Sequence, residues 1–303
     1  MTIDITPFTS LRSVTVLAER SRQKLESVTG EIASGVRHSD LSGFSSEGSL
    51  QNILFFDNAI DAANGYIHSN NNALSKIDVF EASVDSLQNI AEELSTLIVT
   101  RMNGASGDNI PVENIVSGLL DRTATALNAT FGGQYLFGGS KTDRPPVINI
   151  SQSNVTDNIA HASYYQGDSD AQTVQSGPGQ EVTYGITANQ EAFRHLIGAS
   201  HLLLEAHATG DDKTFEKALD LVNRSVSGIA SVNGNLRKDA NSLEETNRAQ
   251  EEIKIVLEKN ISDLRDTNIV EASTRLAELE AMVQASYNAW ARLSSLRLSD
   301  FLR

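Results

Sequence analysis

Several residue types and segments are scarce or absent from this sequence, and their absence narrows the possible functions. The 303 residues include no cysteine, which excludes disulfides, thiol nucleophiles and cysteine-ligated metals together. Only 6% of the residues are aromatic, a composition that suits a helical bundle better than a β-sandwich. No apolar run approaches the length of a membrane span. The formal net charge is −15, so we expect neither nucleic acid nor membrane insertion among its interactions.

Breakers of helices are unevenly distributed along the chain. Prolines occur only at positions 7, 111, 145, 146 and 178, and the last glycine is Gly234. Residues 235–303 therefore lack both residue types that most reliably end a helix, which predicts one or two long helices there. Seven-residue apolar registers indicate long helices on both sides of the middle of the chain. One register contains Ile53, Ile60, Ile67 and Leu74, and the other contains Leu236, Leu243, Leu257 and Leu264.

Both ends of the chain carry apolar residues at alternating steps of three and four. This spacing predicts a narrow apolar seam on each terminal helix, as in coiled coils. Serines within both seams make each one weakly apolar alone, so we expect these helices to stay disordered until they pack against partners. Trp290 is either one large member of an ordinary seam or an anchor between subunits. The predicted assembly interface comprises Leu11, Val14, Leu25, Val28, Ile32, Leu276, Leu279, Val283, Trp290 and Leu293.

The middle of the chain differs from both ends in its residue composition. A helix beginning at Pro111 is expected to run to about residue 130, where Gly132 and Gly133 would stop it. Residues 134–187 are rich in turn-forming residues and contain short β-prone segments at 147–150, 163–165 and 181–184. The order of elements is therefore helix, helix, small β-rich insertion, helix, helix.

These patterns predict a mainly α protein with an inserted β-rich domain. The expected architecture is an elongated antiparallel hairpin or bundle of long helices with coiled-coil terminal helices. We expect three domains along the chain. Residues 1–45 with 266–303 would form the terminal helices, residues 46–133 with 188–265 a helical rod, and residues 134–187 the small β-rich outer domain. The boundary near residue 266 is where the apolar register slips in phase.

The segment 131–147, Phe-Gly-Gly-Gln-Tyr-Leu-Phe-Gly-Gly-Ser-Lys-Thr-Asp-Arg-Pro-Pro-Val, carries a resemblance to a known family. It is similar to the stretch that leads from a helix into the outer domain in hook–filament junction proteins of the flagellin superfamily. The run Ile-Ala-Ser-Gly at 32–35 and the C-terminal helix from Asp266 also resemble that superfamily. The matching domain-junction motif consists of Tyr135, Leu136, Phe137, Gly139, Ser140, Thr142, Pro145 and Pro146.

The resemblance implies a structural subunit of the bacterial flagellum that joins hook to filament by self-assembly through its terminal helices. Implied partners are copies of itself, a hook-side junction protein, filament flagellin and a cytosolic export chaperone on the C-terminal helix. It also implies secretion into the extracellular flagellum through type III export, without a cleavable signal peptide. Two alternatives stay open. One is filament flagellin itself, and the other is a surface module whose β insertion binds a ligand.

Motifs for chemistry are lacking in the sequence. The closely spaced histidines His195, His201 and His207 are six residues apart, so on one helix successive rings are rotated by roughly 120° and share no face. No phosphate-binding loop, zinc-protease motif or nucleophile elbow is present. We therefore expect no catalytic residue, no metal site, no cofactor and no enzymatic activity.

Overall fold

The computed structural model describes residues 7–103, 110–152, 155–156, 159–160 and 162–301. The protein is mainly α, as the sequence predicts. Its helices are α1 (Pro7–Ser34), α2 (Leu41–Glu47), α3 (Leu50–Met102), α4 (Val112–Leu127), α5 (Glu191–Thr209), α6 (Asp212–Arg265) and α7 (Ile269–Phe301). Its strands are β1 (Thr130–Phe131), β2 (Gln134–Tyr135), β3 (Val155–Thr156), β4 (Ile159–Ala160), β5 (Thr173–Gly177) and β6 (Gln180–Thr183). Each strand pairs antiparallel with its neighbour in sequence, as β1–β2, β3–β4 and β5–β6.

The two longest helices lie where prolines are absent. Helix α3 spans 53 residues and α6 spans 54, so each is about 80 Å long at about 1.5 Å per residue. The C-terminal region contains two helices, because α6 ends at Arg265 and α7 begins at Ile269. The break coincides with the predicted slip in apolar register. Asn268 begins α7 by accepting hydrogen bonds from the amides of Val270 and Glu271.

The end of α4 differs from the sequence prediction. The helix ends at Leu127 rather than near residue 130, and Asn128 forms its C-cap. Gly132 and Gly133 instead form the two-residue turn between β1 and β2, with φ values of 57° and 81°. Two consecutive residues with positive φ are what a type I′ hairpin turn requires, and glycine adopts this conformation without a steric penalty.

The β-prone segments form fewer strands than their sequences suggest. Only 181–184 largely coincides with a strand, β6. Val147 and Tyr165 form a single antiparallel bridge, and short 3₁₀ turns lie at Ile150–Gln152 and Ala162–Tyr164. Val147, Ile150 and Tyr164 are buried in the core that they share with the helices, so tertiary packing outweighs local β-propensity here.

The chain divides into two compact units. The first comprises residues 1–61 and 254–303, and the second comprises residues 62–253. The division falls within α3 and α6, and the three-domain scheme derived from the sequence stays a prediction. In the second unit, one hydrophobic core contains residues of α3, α4, α5, α6 and the β-containing segment together. Leu136, Phe137, Tyr164 and Val182 from the segment 134–187 belong to this core.

The first unit is built on the antiparallel pairing of α1 with α7. The end of α1 meets the start of α7, where the Thr267 amide donates to the Gly35 carbonyl at 2.8 Å. The Arg37 amide donates to the Arg265 carbonyl at the same distance. Gly35 has a φ of 73°, a left-handed conformation common at the end of a helix.

Candidate functional site

The described residues of the predicted assembly interface lie along the contact between α1 and α7. Val28 is buried, whereas Leu25, Ile32, Leu276, Leu279 and Val283 are half-buried. The side chains of Leu11, Val14 and Leu293 lie outside the described residues. An ion pair between Arg275 and Glu31, with a 3.4 Å separation, adds a polar contact between the helices. The two seams therefore face each other within one chain, yet most of their apolar side chains keep contact with solvent.

Trp290 is more exposed than its predicted place in the seam of α7 suggests. Its side chain is 49% exposed, while the neighbouring Ala289 is half-buried. The indole therefore keeps a large free apolar surface in the single chain.

Apolar exposure is concentrated in the first unit. Among the described residues, twelve of the sixteen exposed large hydrophobic side chains belong to it, although it is the smaller unit. Conversely, among the residues whose burial is described, the buried hydrophobic ones of this unit are Val28, Phe44, Ile53 and Ala272, and the others lie in the second unit. The single chain therefore covers little of the apolar surface of this unit. The exposed set in the first unit is Val16, Leu17, Leu41, Leu54, Phe55, Ile255, Val256, Ile269, Val270, Met282, Tyr287 and Trp290.

Sequence reasoning missed a structural feature of this unit, the short helix α2. Asp40 begins it by accepting hydrogen bonds from the amides of Ser42 and Gly43, and Gly48 ends it with a φ of 78°. Phe44 is 1% exposed. Its ring is nearly perpendicular to that of His38, and the two ring centroids are 4.9 Å apart. The Ser42 hydroxyl and these amides lower the pKa of Asp40. An aspartate followed eight residues later by glycine is the signal that could have located this helix.

The domain-junction motif connects β2 to the core of the second unit. Leu136 and Phe137 are fully buried. The Phe137 ring packs edge-on against Phe80 of α3 and Phe193 of α5, with ring centroids 4.9 Å and 6.2 Å apart, respectively. Its carbonyl accepts a hydrogen bond of 2.9 Å from the Ala188 amide, just before α5. Phe137 thus links the β-containing segment to both α3 and α5.

The remaining motif residues form a turn closed by hydrogen bonds. Tyr135 donates its amide to the Thr142 carbonyl at 3.0 Å. Pro146 is buried while Pro145 is exposed, and the Pro146 carbonyl accepts from the Gln166 amide at 2.9 Å. Tyr135, Thr142 and Pro146 thus take part in the local hydrogen bonding of this segment.

Asp168 holds the turn from outside the motif. Its carboxylate accepts hydrogen bonds from the amide and hydroxyl of Ser140 and from the amide of Asp170. The Tyr165 hydroxyl donates to the Asp168 carbonyl at 2.6 Å, and burial raises the pKa of that phenol to about 12. The hydrogen bond from the Ser140 hydroxyl, followed by that from the Ser140 amide, lowers the pKa of Asp168.

Gly139 is predicted to tolerate no side chain. Its φ is 71°, and a Cβ atom there would lie 2.2 Å from an Asp168 carboxylate oxygen and 2.8 Å from the Asp168 carbonyl oxygen. We expect Gly139→Ala to lower the free energy of unfolding by at least about 1–3 kcal/mol, the usual cost of a strained backbone conformation. Urea denaturation would measure the change in the free energy of unfolding. Gly179→Ala is the matched control, since its φ is 68° but nothing lies near the added Cβ. Equal losses in both variants would contradict a role for the Asp168 contact.

The pH dependence of stability should show how much the Asp168 carboxylate contributes to the free energy of unfolding. The pKa of Asp168 is lower in the folded chain than in the unfolded one. The ionised carboxylate therefore adds its full contribution to the free energy of unfolding above the unfolded pKa of about 4, and this contribution is lost as the pH falls through the folded pKa. We expect Asp168→Asn to lose less stability than the parent chain between neutral and acidic pH. Urea midpoints at several pH values would measure this. Parallel curves for both proteins would contradict it.

Histidines of the second unit occupy separate environments. His195 lies 3.6 Å from Glu191, His201 contacts the Ile150 carbonyl at 3.0 Å, and His207 lies 3.2 Å from Glu113. Desolvation lowers the pKa of both His195 and His201. Across the described ranges, no three acidic or histidine side chains gather in a way that could hold a metal ion. None of the helices in the described part of the chain combines the length and apolarity needed to cross a membrane.

Comparison with solved structures identifies the fold. The chain matches a putative flagellar hook-associated protein from Vibrio parahaemolyticus with a TM-score of 0.62 and 18% sequence identity, over 71% of this chain and 96% of that chain. It also matches FlgL of Bacillus cereus with a TM-score of 0.51 and 18% identity, over 71% of this chain and 98% of that chain. No protein-family model matches the sequence, and no curated protein matches it. The structural likeness therefore shows a shared fold.

Proposed function

We propose that this chain is a non-enzymatic structural subunit of the bacterial flagellum that joins hook to filament. The observation that carries the proposal is the uneven distribution of apolar surface. The paired terminal helices belong to a unit with few buried hydrophobic residues and many exposed ones. A fold shared with a flagellar hook-associated protein gives that surface a plausible biological setting. Assembly would bury the surface that the single chain leaves in water.

The proposed partners follow from this surface and from the family resemblance of the sequence. Copies of the chain would pack through α1 and α7, with a hook-side junction protein at one end and filament flagellin at the other. Before assembly, a cytosolic export chaperone would cover the C-terminal helix. The chain would then leave the cell through type III export and reside in the extracellular flagellum. Self-assembly through the predicted interface would order the terminal helices against their neighbours.

Immuno-electron microscopy of isolated flagella tests the proposal. An antibody against the second unit, applied to flagella from cells that produce the chain, should label a band at the end of the hook. A chain lacking residues 269–303 should be produced at similar levels but give no band. Labelling along the whole filament would instead indicate filament flagellin. Absence of label from flagella of producing cells would overturn the flagellar proposal.

A further inference from the structure

A polar layer interrupts the apolar packing between α3 and α6 in the second unit. Asn70 lies on α3 and is fully buried. Its side-chain nitrogen donates to the Asn247 side-chain oxygen on α6 at 2.9 Å and to the Ser176 carbonyl at 3.2 Å. Ser176 is also fully buried and lies near the tip of the β5–β6 hairpin. We call Asn70, Asn247 and Ser176 the amide layer, because it joins three elements by amide and carbonyl groups.

Stability alone gives a poor account of this layer. The Asn70 side-chain oxygen is buried and has no hydrogen-bond partner among the described residues. A buried polar atom without a partner carries an uncompensated desolvation penalty. Replacement of buried polar groups by well-packed apolar ones is often neutral or stabilising. The best-attested role of a single asparagine in a helical seam is instead to select one pairing over others.

The apolar pattern of these helices leaves such a choice open. Ile77 and Val84 on α3 are seven residues apart, as are Leu236 and Leu243 on α6, and all four are buried. A pairing shifted by seven residues would still place apolar positions against apolar positions. It would, however, take Asn70 away from Asn247 and from the Ser176 carbonyl, so that its buried side-chain amide would lose both hydrogen bonds. Within the α3–α6 pair, the amide layer therefore distinguishes between registers that these four apolar residues alone would not separate.

Two other contacts show the register that the layer supports. The Asn247 side-chain nitrogen donates to the Asn71 side-chain oxygen at 2.9 Å. Further along the pair, the Asn233 side-chain nitrogen donates to an Asp85 carboxylate oxygen at 2.6 Å. From Asn71 to Asp85 is fourteen residues forward on α3, and from Asn247 to Asn233 is fourteen residues back on α6. All these contacts belong to one antiparallel register.

We propose that the amide layer fixes the antiparallel register of α3 against α6 and holds the tip of the β5–β6 hairpin on that pair. Asn70 acts as a positioning residue, since it donates to both other elements at once. The layer selects one arrangement of the helices at the cost of some stability. This role is independent of where the protein assembles.

Engineered cysteines can report the register because the natural chain has none. The pair Asp85→Cys with Asn233→Cys replaces two side chains in contact and reports the observed register. The pair Asp85→Cys with Ala240→Cys reports a shift of seven residues. Each pair is placed in the full-length chain with the natural layer and with Asn70→Leu/Asn247→Leu. Asn72→Leu, an exposed position on the same helix, is the matched control.

With the natural layer and with the control, we expect cross-linking by a short bifunctional thiol reagent in the 85–233 pair and almost none in the 85–240 pair. With Asn70→Leu/Asn247→Leu, the yield of the shifted pair should rise several-fold, while the melting temperature stays the same or increases. Hydrogen exchange of the β5–β6 hairpin should accelerate because the Ser176 carbonyl loses its donor. An unchanged cross-linking pattern in a folded leucine variant would overturn the proposal. If that variant does not fold, Asn70→Ala/Asn247→Ala must show the same rise in shifted product.

Discussion

Replacing Phe137 by alanine should lower the free energy of unfolding by about 3–5 kcal/mol, the usual cost of emptying a buried phenylalanine site. Phe137 has no solvent exposure and packs edge-on against Phe80 and Phe193. These neighbours lie on long helices that pack against many other residues, so they can move little to fill the space. Urea denaturation followed by circular dichroism would measure the loss.

Phe55→Ala is the matched control for this prediction. It removes the same atoms from a side chain that is 67% exposed, where truncation usually changes stability by less than about 0.5 kcal/mol. A similar loss in both variants would mean that the Phe137 ring contributes no more than its surface counterpart. Such a result would contradict the assignment of the motif to the core of the second unit.

The helical part of the fold was readable from the sequence because helices have strong local signals. The proline-free stretches correspond to α3 and α6, and the phase slip near residue 266 coincides with the break before α7. Leu25 and the buried Val28 on α1, and the half-buried Leu276 and Leu279 on α7, follow the predicted spacing of three and four. Periodicity thus identified the faces that pack together, since a helix places such residues on one side.

The β-containing segment was less predictable because its conformation depends on distant residues. The amide of Val147 donates to the Asn128 side-chain oxygen at 2.9 Å, and the Asn128 side-chain nitrogen donates to the Val147 carbonyl. A side-chain amide thus takes the place of a neighbouring strand, and no local pattern indicates it. Asp168 closes the motif turn from 28 residues away. Sequence similarity located the motif, whereas three-dimensional contacts explain its residues.

The amide layer illustrates a second reason why parts of the structure could not be predicted from the sequence. Asn70 lies between Ile67 and Leu74 of the predicted seven-residue register, and its polarity suggests an exposed position. Its burial depends on Asn247 and on the hairpin carbonyl of Ser176. One sequence without its fold does not bring these three residues together. Polar residues in an apolar seam are therefore the positions where sequence reasoning should expect to fail.

Replacing Trp290 by alanine should leave the single chain folded and strongly impair its assembly. Because the indole is 49% exposed, its truncation removes little burial from the monomer, and we expect a change in unfolding free energy below about 1 kcal/mol. In a contact between subunits the same side chain would be covered, and central aromatic residues there contribute about 2 kcal/mol or more. Incorporation into flagella, measured by immunoblot of purified filaments and hooks against the cellular pool, should fall severely.

Ile148→Ala is the control that separates assembly from general surface hydrophobicity. Ile148 is also an exposed large apolar side chain, at 39%, but it belongs to the second unit. We expect this variant to be incorporated at the parental level. A Trp290→Ala chain that unfolds readily would instead assign the indole to ordinary packing between α1 and α7. Normal incorporation of a stable Trp290→Ala chain would remove Trp290 from the proposed interface, and the other exposed residues of the first unit would then have to carry the assembly contact.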